Sequence, residues 1–305
     1  MMNNDASATS FLTESEVKEI DNAFLKEPKR ALTFNQVFPP KQLRNPNAKV
    51  GQYYIQSDDA VVAGFVERLK DAKRVTVTGK QVTYSVYKAA LSYNLDMTEI
   101  DESRKFNTPI DVRVVNSLVR KIQEKMNSLA YVGDSTFGVN GIMDQTANMT
   151  AITGSDISST TTPAAVANVF IKAFNDLDAK HRESYNYKLV VPDAVHKYLV
   201  QIGNTTTDGS AKNQILSALS TLVDIIPEGQ LDSGTTTATT TVANGIGVFI
   251  PQDQEATNMP IGYLPRNNMK TDEAYREIEG TGEARFGPVE LIFPEAYGYI
   301  TGLLG

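Results

Sequence analysis

The side chains that most often perform catalysis are few in this sequence and follow no catalytic pattern. The chain has no cysteine, and its two histidines, His181 and His196, lie fifteen residues apart on different predicted elements. We interpret each as a surface or half-buried side chain rather than a metal ligand. Adjacent carboxylates such as Asp58 and Asp59 could pair for acid and base catalysis, but no spacing singles out such a pair.

Glycine-rich phosphate loops are also missing. Gly79 and Lys80 lack both the upstream glycine and the following Ser or Thr of a Walker loop, and Gly245 and Gly247 form a lone Gly-x-Gly without the third glycine of a dinucleotide site. The chain contains neither Gly-x-Ser-x-Gly nor His-Glu-x-x-His. The sequence therefore predicts no catalytic residue, no cofactor-binding residue and no metal ligand, and we expect that the protein is not an enzyme.

Composition limits the classes of partner. The chain has 305 residues, 41% of them hydrophobic, which is enough for one large or two modest domains. No apolar run approaches the roughly 18 residues that a membrane helix needs, and the N-terminus lacks the pattern of a signal peptide. A net charge of −7 argues against a surface that grips nucleic acid. The absence of cysteine fits a reducing cytoplasm.

One stretch of this acidic chain is basic. Between Val66 and Lys88 six basic residues stand against two acidic ones. Such a bias is typical of a solvated face, or it marks a surface that docks on an acidic region of another copy of the chain. The basic set comprises Arg68, Lys70, Lys73, Arg74, Lys80 and Lys88. The acidic set that would receive it comprises Asp96, Glu99, Asp101 and Glu102.

The same stretch alternates apolar and polar side chains. Residues 74–95, RVTVTGKQVTYSVYKAALSYNL, predict two strands with a turn at Gly79-Lys80. Because an isolated two-stranded ribbon is only marginally stable in water, we expect it to lie across a second copy of the chain. Before it, a short amphipathic helix is predicted over 13–26 and an extended segment over 38–51.

A long helix is the strongest local prediction. Thr108 and Pro109 are a typical helix start, and Gly133 ends the pattern. The apolar residues recur at spacings of three and four and form one stripe: Ile110, Val114, Leu118, Ile122, Met126 and Leu129. At 1.5 Å per residue such a helix spans about 34 Å.

The rest of the chain alternates helix and strand and then returns to strands. Helices are predicted from Pro163, in PDAVHKYLVQI and in AKNQILSAL, and strands in YKLVVP, TLVDIIP and GIGVFIP. The tail, EARFGPVELIFPEAYGYITGLLG, is rich in aromatic and branched residues, and Pro288 and Pro294 restrict its strands to short segments. The pattern indicates an α+β chain that contains an α/β domain.

This order of parts resembles the major capsid proteins of tailed bacteriophages, whose Hong Kong 97-type fold is shared with encapsulin shells. The resemblance rests on the long helix ending in YVGDSTFGVNGIMD and on the closing FGPVELIFPEAYGYITGLL. It implies an N-terminal arm (1–50), an extended loop (51–97), a peripheral domain (98–150 and 266–305) with a spine helix over 109–133, and an axial domain (151–265).

The resemblance also implies partners. Many copies would assemble through pentamers and hexamers into an icosahedral shell around phage DNA, without sequence-specific binding and without a membrane. A separate scaffolding protein is expected because fewer than 55 residues precede the ribbon, and a portal and decoration proteins are implied beside it. The protein is expected in the capsid of the virion, after assembly in the host cytoplasm. Some relatives join a loop lysine to an asparagine; Lys80 lies near the predicted turn, but no partner asparagine or carboxylate matches, so this chemistry is not carried over.

Two alternatives stay open from the sequence. The first is an encapsulin-type compartment that encloses a cargo enzyme. The second is a carbohydrate-active enzyme or adhesin, to which the threonine-rich segments SSTTTP, NTTTDGS and SGTTTATTT would contribute loops. A shell protein forms capsomers or megadalton particles, whereas the second alternative predicts a monomer or small oligomer.

Overall fold

The structure is a computed structural model that describes residues 29–58, 77–105, 110–158, 162–200, 209–232, 245–272 and 276–304. The chain divides into two compact units, residues 1–31 and 32–305, and the helices and strands described below belong to the second. The helix predicted over 13–26 lies outside the described residues. The described part mixes helices and sheets, which confirms the α+β prediction.

The elements are numbered in chain order. The helices are α1 (Phe34–Val37), α2 (Met97–Lys105), α3 (Ile110–Tyr131), α4 (Pro163–Asn175), α5 (Ala179–Ser184), α6 (Asp193–Val200) and α7 (Ala211–Ala218), with 3₁₀ turns at Ile142–Asn148, Gly229–Leu231 and Pro294–Ala296. The strands are β1 (Pro40–Gln42), β2 (Val50–Asp58), β3 (Val77–Ser85), β4 (Tyr87–Asp96), β5 (Gly133–Asp134), β6 (Val139–Asn140), β7 (Thr150–Thr153), β8 (Tyr187–Val191), β9 (Leu222–Pro227), β10 (Gly247–Pro251), β11 (Thr257–Asp272), β12 (Glu277–Phe286), β13 (Glu290–Leu291) and β14 (Gly298–Thr301).

The long helix α3 packs on a sheet with strand order β1-β11-β12-β4, to which β13 adds by pairing with β11. The predicted stripe is buried from Leu118 through Ile122 and Met126 to Leu129. A Cβ on Gly282 of β12 would lie 1.7 Å from the Leu118 side chain, so only glycine at that position lets the helix approach the strand this closely. The prediction of a long helix over 109–133 is confirmed, with bounds at Ile110 and Tyr131.

The strand pairing of the predicted ribbon is different from the prediction. β3 pairs with β2 rather than with β4, and Gly79 lies inside β3 opposite Gln56 instead of at a turn. β4 continues from β3 after the buried Val86 and pairs along its whole length with β12. The prediction of a hairpin within 74–95 is therefore wrong, because the partner of its first half lies upstream and the partner of its second half lies near the end of the chain.

A second sheet has the order β7-β14-β10-β8-β9 and is covered on one face by α4, α6 and α7. In β10, Phe249 faces this helical layer, whereas Val248 and Ile250 belong to the core that also contains Met126 of α3. Both faces are thus buried, which explains why β8 and β10 are almost continuously apolar. The helices and strands that the sequence predicts between 163 and 251 are all present.

A buried polar cluster fixes residues 33–38 to the long helix. The Oδ1 atom of Asn127 accepts hydrogen bonds from the backbone N–H groups of Thr33 and Phe34, at 3.2 and 3.1 Å. The hydroxyl of Thr33 donates to Glu228 and lies 2.9 Å from the hydroxyl of Tyr131. The apolar side chains of α1 and Phe38 are buried beside this cluster. This part of the predicted arm therefore belongs to the packed core.

The division into domains stays a proposal. The strand pairing disagrees with two of the predicted domain boundaries. β14, which the prediction assigns to the peripheral domain, lies between β7 and β10 in the second sheet. β11 begins at Thr257, inside the predicted axial range, but pairs with β1, β12 and β13 of the first sheet. The chain crosses between the two sheets more often than a division by sequence allows.

Candidate functional site

The ribbon formed by β2 and β3 is the part of the described chain least supported by its own fold. Its nine pairs run from Val50 opposite Ser85 to Asp58 opposite Val77, and within the described residues neither strand pairs with a third. At about 3.3 Å per residue the ribbon is roughly 30 Å long. Its outer face is open to solvent, and Tyr54 is 66% exposed. A ribbon of this kind needs a further surface for stability.

Two residues of the predicted basic set, Lys80 and Lys88, belong to the described part of the chain. Arg68, Lys70, Lys73 and Arg74 lie outside the described residues. Lys80 is exposed in β3 opposite Ile55, so it does not lie near a turn as the sequence implied. Lys88 is in contact with the carboxylate of Glu283 in its own chain.

Glu283 is the centre of a brace across three strands, which we call the Glu283 brace and define as Glu283, Lys88, Arg266 and Asn268. Arg266 on β11 donates from Nε and Nη2 to Oε1 of Glu283 at 2.9 and 2.6 Å, and Asn268 donates to the same oxygen at 3.4 Å. The hydrogen bonds from Lys88 and Arg266 lower the pKa of Glu283 to about 2. The brace holds β4, β12 and β11 together, which is a structural role that the sequence prediction missed.

The acidic set lies at one end of this sheet. Oδ1 of Asp96 accepts the backbone N–H of Thr98 at 2.6 Å at the start of α2, and this bond is the main reason that the pKa of Asp96 is lowered. Glu99 and Asp101 follow on α2 and are exposed. Glu102 also lies on α2, but its side chain is outside the described residues. Asp96, Glu99 and Asp101 thus lie within one short segment at the junction of β4 and α2.

Strand pairing adds residues that the sequence prediction did not include. Glu277 of β12 lies directly opposite Asp96, and Glu279 is two residues further along the same strand. Asn94 donates to Oε2 of Glu277 at 2.9 Å. We call Asp96, Glu99, Asp101 and Glu277 the acidic end of the sheet. Like charges on directly opposed residues are unfavourable, and Arg276 of the same chain, whose charge helps to lower the pKa of Asp96, offsets part of this negative charge.

The remaining candidates for chemistry stay apart. His181 lies 2.7 Å from Asp178 on α5, whereas His196 lies on α6 with its pKa lowered, chiefly by burial and then by Lys212. Gly247 begins a strand rather than a helix, so the Gly-x-Gly does not form a dinucleotide site. Among the described residues no cluster of three or more histidine and acidic side chains could hold a metal. Within the same ranges, no helix is both long and apolar enough to cross a bilayer.

Several solved structures have a similar fold. The chain is similar to the capsid of Myoviridae phage XM1, with a TM-score of 0.73 and 13% identity over 96% of this chain and 99% of that one. It is also similar to the capsid of a native GTA particle (TM-score 0.62, 13% identity, 93% and 97% covered) and to Mycobacterium phage Bobi (TM-score 0.58, 13% identity, 94% and 97% covered). No curated protein sequence matches the chain. The fold is that of phage capsid subunits.

The family profile described as major capsid protein matches residues 63–303, which is most of the chain. The chain belongs to the major capsid protein family. Its role is that of a structural capsid subunit with the Hong Kong 97-type fold that the resemblance implied. The encapsulin alternative is not favoured by the family match or by these neighbours.

Proposed function

We propose that copies of this chain assemble through pentamers and hexamers into a closed icosahedral shell that encloses phage DNA. The observation that carries the proposal is the β2–β3 ribbon, which pairs with no third strand in the described part of the chain. In a symmetric assembly every copy offers the same surface to the ribbon of its neighbour, so each ribbon finds a partner. Interfaces of permanent assemblies bury on the order of 2,000 to 5,000 Å², which is sufficient without covalent links.

The proposed docking joins the basic stretch of one copy to the acidic end of the next. The basic side would be Arg68, Lys70, Lys73, Arg74 and Lys80. Lys88 leaves the predicted set because it is paired with Glu283 in its own chain. On the acidic side, Glu277 joins Asp96, Glu99, Asp101 and Glu102 through its register opposite Asp96. Complementary charge would set the register of the two copies more than their affinity.

The DNA would be enclosed rather than recognised. A chain with a net charge of −7 has no general attraction for phosphate, so the packed polymer would slide over the wall without adhering. The proposal extends, by resemblance alone, to a separate scaffolding protein, a portal, decoration proteins and assembly in the host cytoplasm. Closed shells from expression of this chain alone would contradict the need for scaffolding.

Negative-stain microscopy and sedimentation of the purified chain test the assembly itself. We expect capsomers or megadalton particles, and nuclease-protected DNA inside native particles. A chain that stays monomeric at micromolar concentration would overturn the proposal and favour the carbohydrate-active enzyme or adhesin. Particles that contain a protein cargo and no protected DNA would instead support the encapsulin alternative.

Charge reversal tests the docking. Replacing Arg68, Lys70, Lys73 and Arg74 together by Glu should reduce particle yield at least tenfold while circular dichroism stays unchanged, because like charges then face each other across the contact. Adding Glu99→Lys and Asp101→Lys in the same chain should restore part of the yield. Reversal of four exposed basic residues elsewhere, Arg44, Lys172, Lys180 and Lys197, is the matched control for net charge. A yield equal to that of the unaltered chain in the first variant would reject the docking.

A further inference from the structure

Glu290 is a buried carboxyl group close to the side-chain amide of Asn258. It lies on β13 directly opposite Asn258 of β11 and is only 5% exposed. Among the described residues, no hydrogen bond of ordinary geometry reaches either carboxylate oxygen or Oδ1 of Asn258, and the amide of Asn258 is the smallest of the influences on the pKa of Glu290. A buried ionised carboxylate in this situation is strongly unfavourable, whereas the protonated acid is tolerated.

The groups that face Glu290 come from β1 and from the part of the ribbon formed by residues 51–55 and 80–84, which we call the ribbon base. Burial, and next the charge of Glu290, raise the pKa values of Tyr53 on β2 and Tyr84 on β3 to about 12. The ring centroids of these two tyrosines are 6.2 Å apart. Lys41 on β1 has its Nζ 5.6 Å from the centre of the Tyr53 ring, and its charge partly opposes the effect of burial on Glu290. The carboxyl group is therefore in electrostatic contact with both strands of the ribbon.

The ribbon base is not tightly packed against the body beside this group. A cleft of about 530 Å³ separates Tyr53, Tyr54 and Ile55 of β2 from the segment that contains Ile292 and Phe293. Glu255, which is exposed, and Lys41 are the charged residues on its lining. Such a space lets the ribbon base move away from the sheet without breaking the pairing between β2 and β3.

We propose that Glu290 is a proton-dependent latch: the ribbon base stays seated on the first sheet while this carboxyl group is protonated and loosens when it ionises. Loosening would let water reach the carboxylate and donate hydrogen bonds to it. The latch would therefore control the angle at which each ribbon is offered to a neighbouring subunit.

The direction of the pH dependence follows from burial, which raises the pKa of Glu290 from an ordinary 4.5 to about 7. The seated form then holds the proton more tightly than a form in which the carboxyl group is in water. Seating is thus favoured at low pH and is lost as the pH rises from about 4.5 through about 7. Between pH 5 and pH 8 the opening equilibrium should increase on the order of 50-fold.

Hydrogen exchange of the two ribbon strands tests the latch. The chain is compared with Glu290→Gln, which is neutral at every pH, in the same oligomeric form and at matched pH so that intrinsic exchange rates cancel. At pH 5, peptides covering 50–58 and 77–85 should exchange at rates within about fivefold of each other in the two chains. At pH 8 they should exchange at least tenfold faster in the unaltered chain. Equal protection at both pH values would overturn the proposal.

Two further variants make the result specific. Glu255→Gln removes an exposed carboxylate from the same cleft and should leave the pH dependence unchanged; loss of the dependence in this variant would overturn the assignment to Glu290. Lys41→Met removes a charge that favours the ionised carboxylate, so the midpoint of loosening should move to higher pH. If Glu290→Gln fails to fold, Glu290→Leu is used in its place, because it is also neutral and its protection should likewise be independent of pH.

Discussion

Glu283 and Glu290 lie seven residues apart at adjoining parts of one sheet, yet their surroundings shift the pKa values of the two carboxyl groups in opposite directions. Glu283 receives donors from Arg266, Asn268 and Lys88, and its pKa falls to about 2. Among the described residues no hydrogen bond of ordinary geometry reaches Glu290, and burial raises its pKa to about 7. The difference follows from the surroundings of the two groups: two half-exposed cations contact Glu283, whereas removal from water is the main influence on Glu290. The first glutamate joins strands, whereas the second can release them.

The largest expected effect is a contrast in stability between two leucine variants at pH 8. Glu283→Leu removes the partner of Arg266 and Lys88, which are about half exposed and stay hydrated, so it should lower the free energy of unfolding by about 1 kcal/mol. Glu290→Leu removes a buried carboxylate at nearly constant volume and should be neutral or stabilising by up to about 2 kcal/mol. Urea unfolding of the dissociated subunit measures both. Equal losses in the two variants would remove the distinction between the sites.

A smaller effect is expected in the pH dependence of stability. The stabilisation from Glu283, whose folded pKa lies below its unfolded value, is complete above about pH 4.5 and is lost as the pH falls towards 2. The contribution of Glu290, whose folded pKa is raised, is lost as the pH rises from about 4.5 through 7. Each slope should stay below about 1.4 kcal/mol per pH unit and vanish in the corresponding Gln variant. If both carboxyl groups changed the free energy of unfolding with pH in the same direction, the contrast between the two sites would be contradicted.

The smallest effect concerns the geometry of the Glu283 brace. The guanidinium of Arg266 also lies 4.1 Å from the centre of the Tyr263 ring. Arg266→Lys keeps the charge but loses the planar guanidinium that donates twice to Glu283 and lies over the Tyr263 ring, so it should lower the melting temperature slightly. Arg44→Lys, at an exposed position, is the matched control and should change nothing measurable. Thermal unfolding at pH 7 separates the two variants.

The parts of the fold that sequence reasoning predicted correctly are those with local signals. The apolar stripe on α3 recurs at helical spacing, and the buried strands β8, β9 and β10 are short apolar runs. A few neighbouring residues are therefore enough to recognise each of them. The pairing partners of β3 and β4 have no such local signal. β3 pairs with a strand that begins at Val50, and β4 pairs with one that ends at Phe286, and nothing in residues 74–95 encodes either distance.

The candidate sites were predictable only in part, for the same reason. Asp96, Glu99 and Asp101 are close in sequence and could be grouped at once, whereas Glu277 reaches them only through the register of β12. Glu283 falls on the polar face of the strand EGTGEARF together with Glu279, Thr281 and Arg285, so alternation places it towards solvent and gives no signal of its burial. Glu290 did carry a signal, since it stands in the apolar segment VELIF.

The position of β14 has a consequence for synthesis of the chain. In the second sheet β14 lies between β7 and β10, although β7 is more than 140 residues upstream of it. Because β14 is the strand that pairs with β7, β7 has no neighbour in the sheet until Thr301 has been synthesised. The second core therefore closes only after translation of nearly the entire sequence. The surface built on this sheet is therefore incomplete until residues 298–301 have joined β7 and β10.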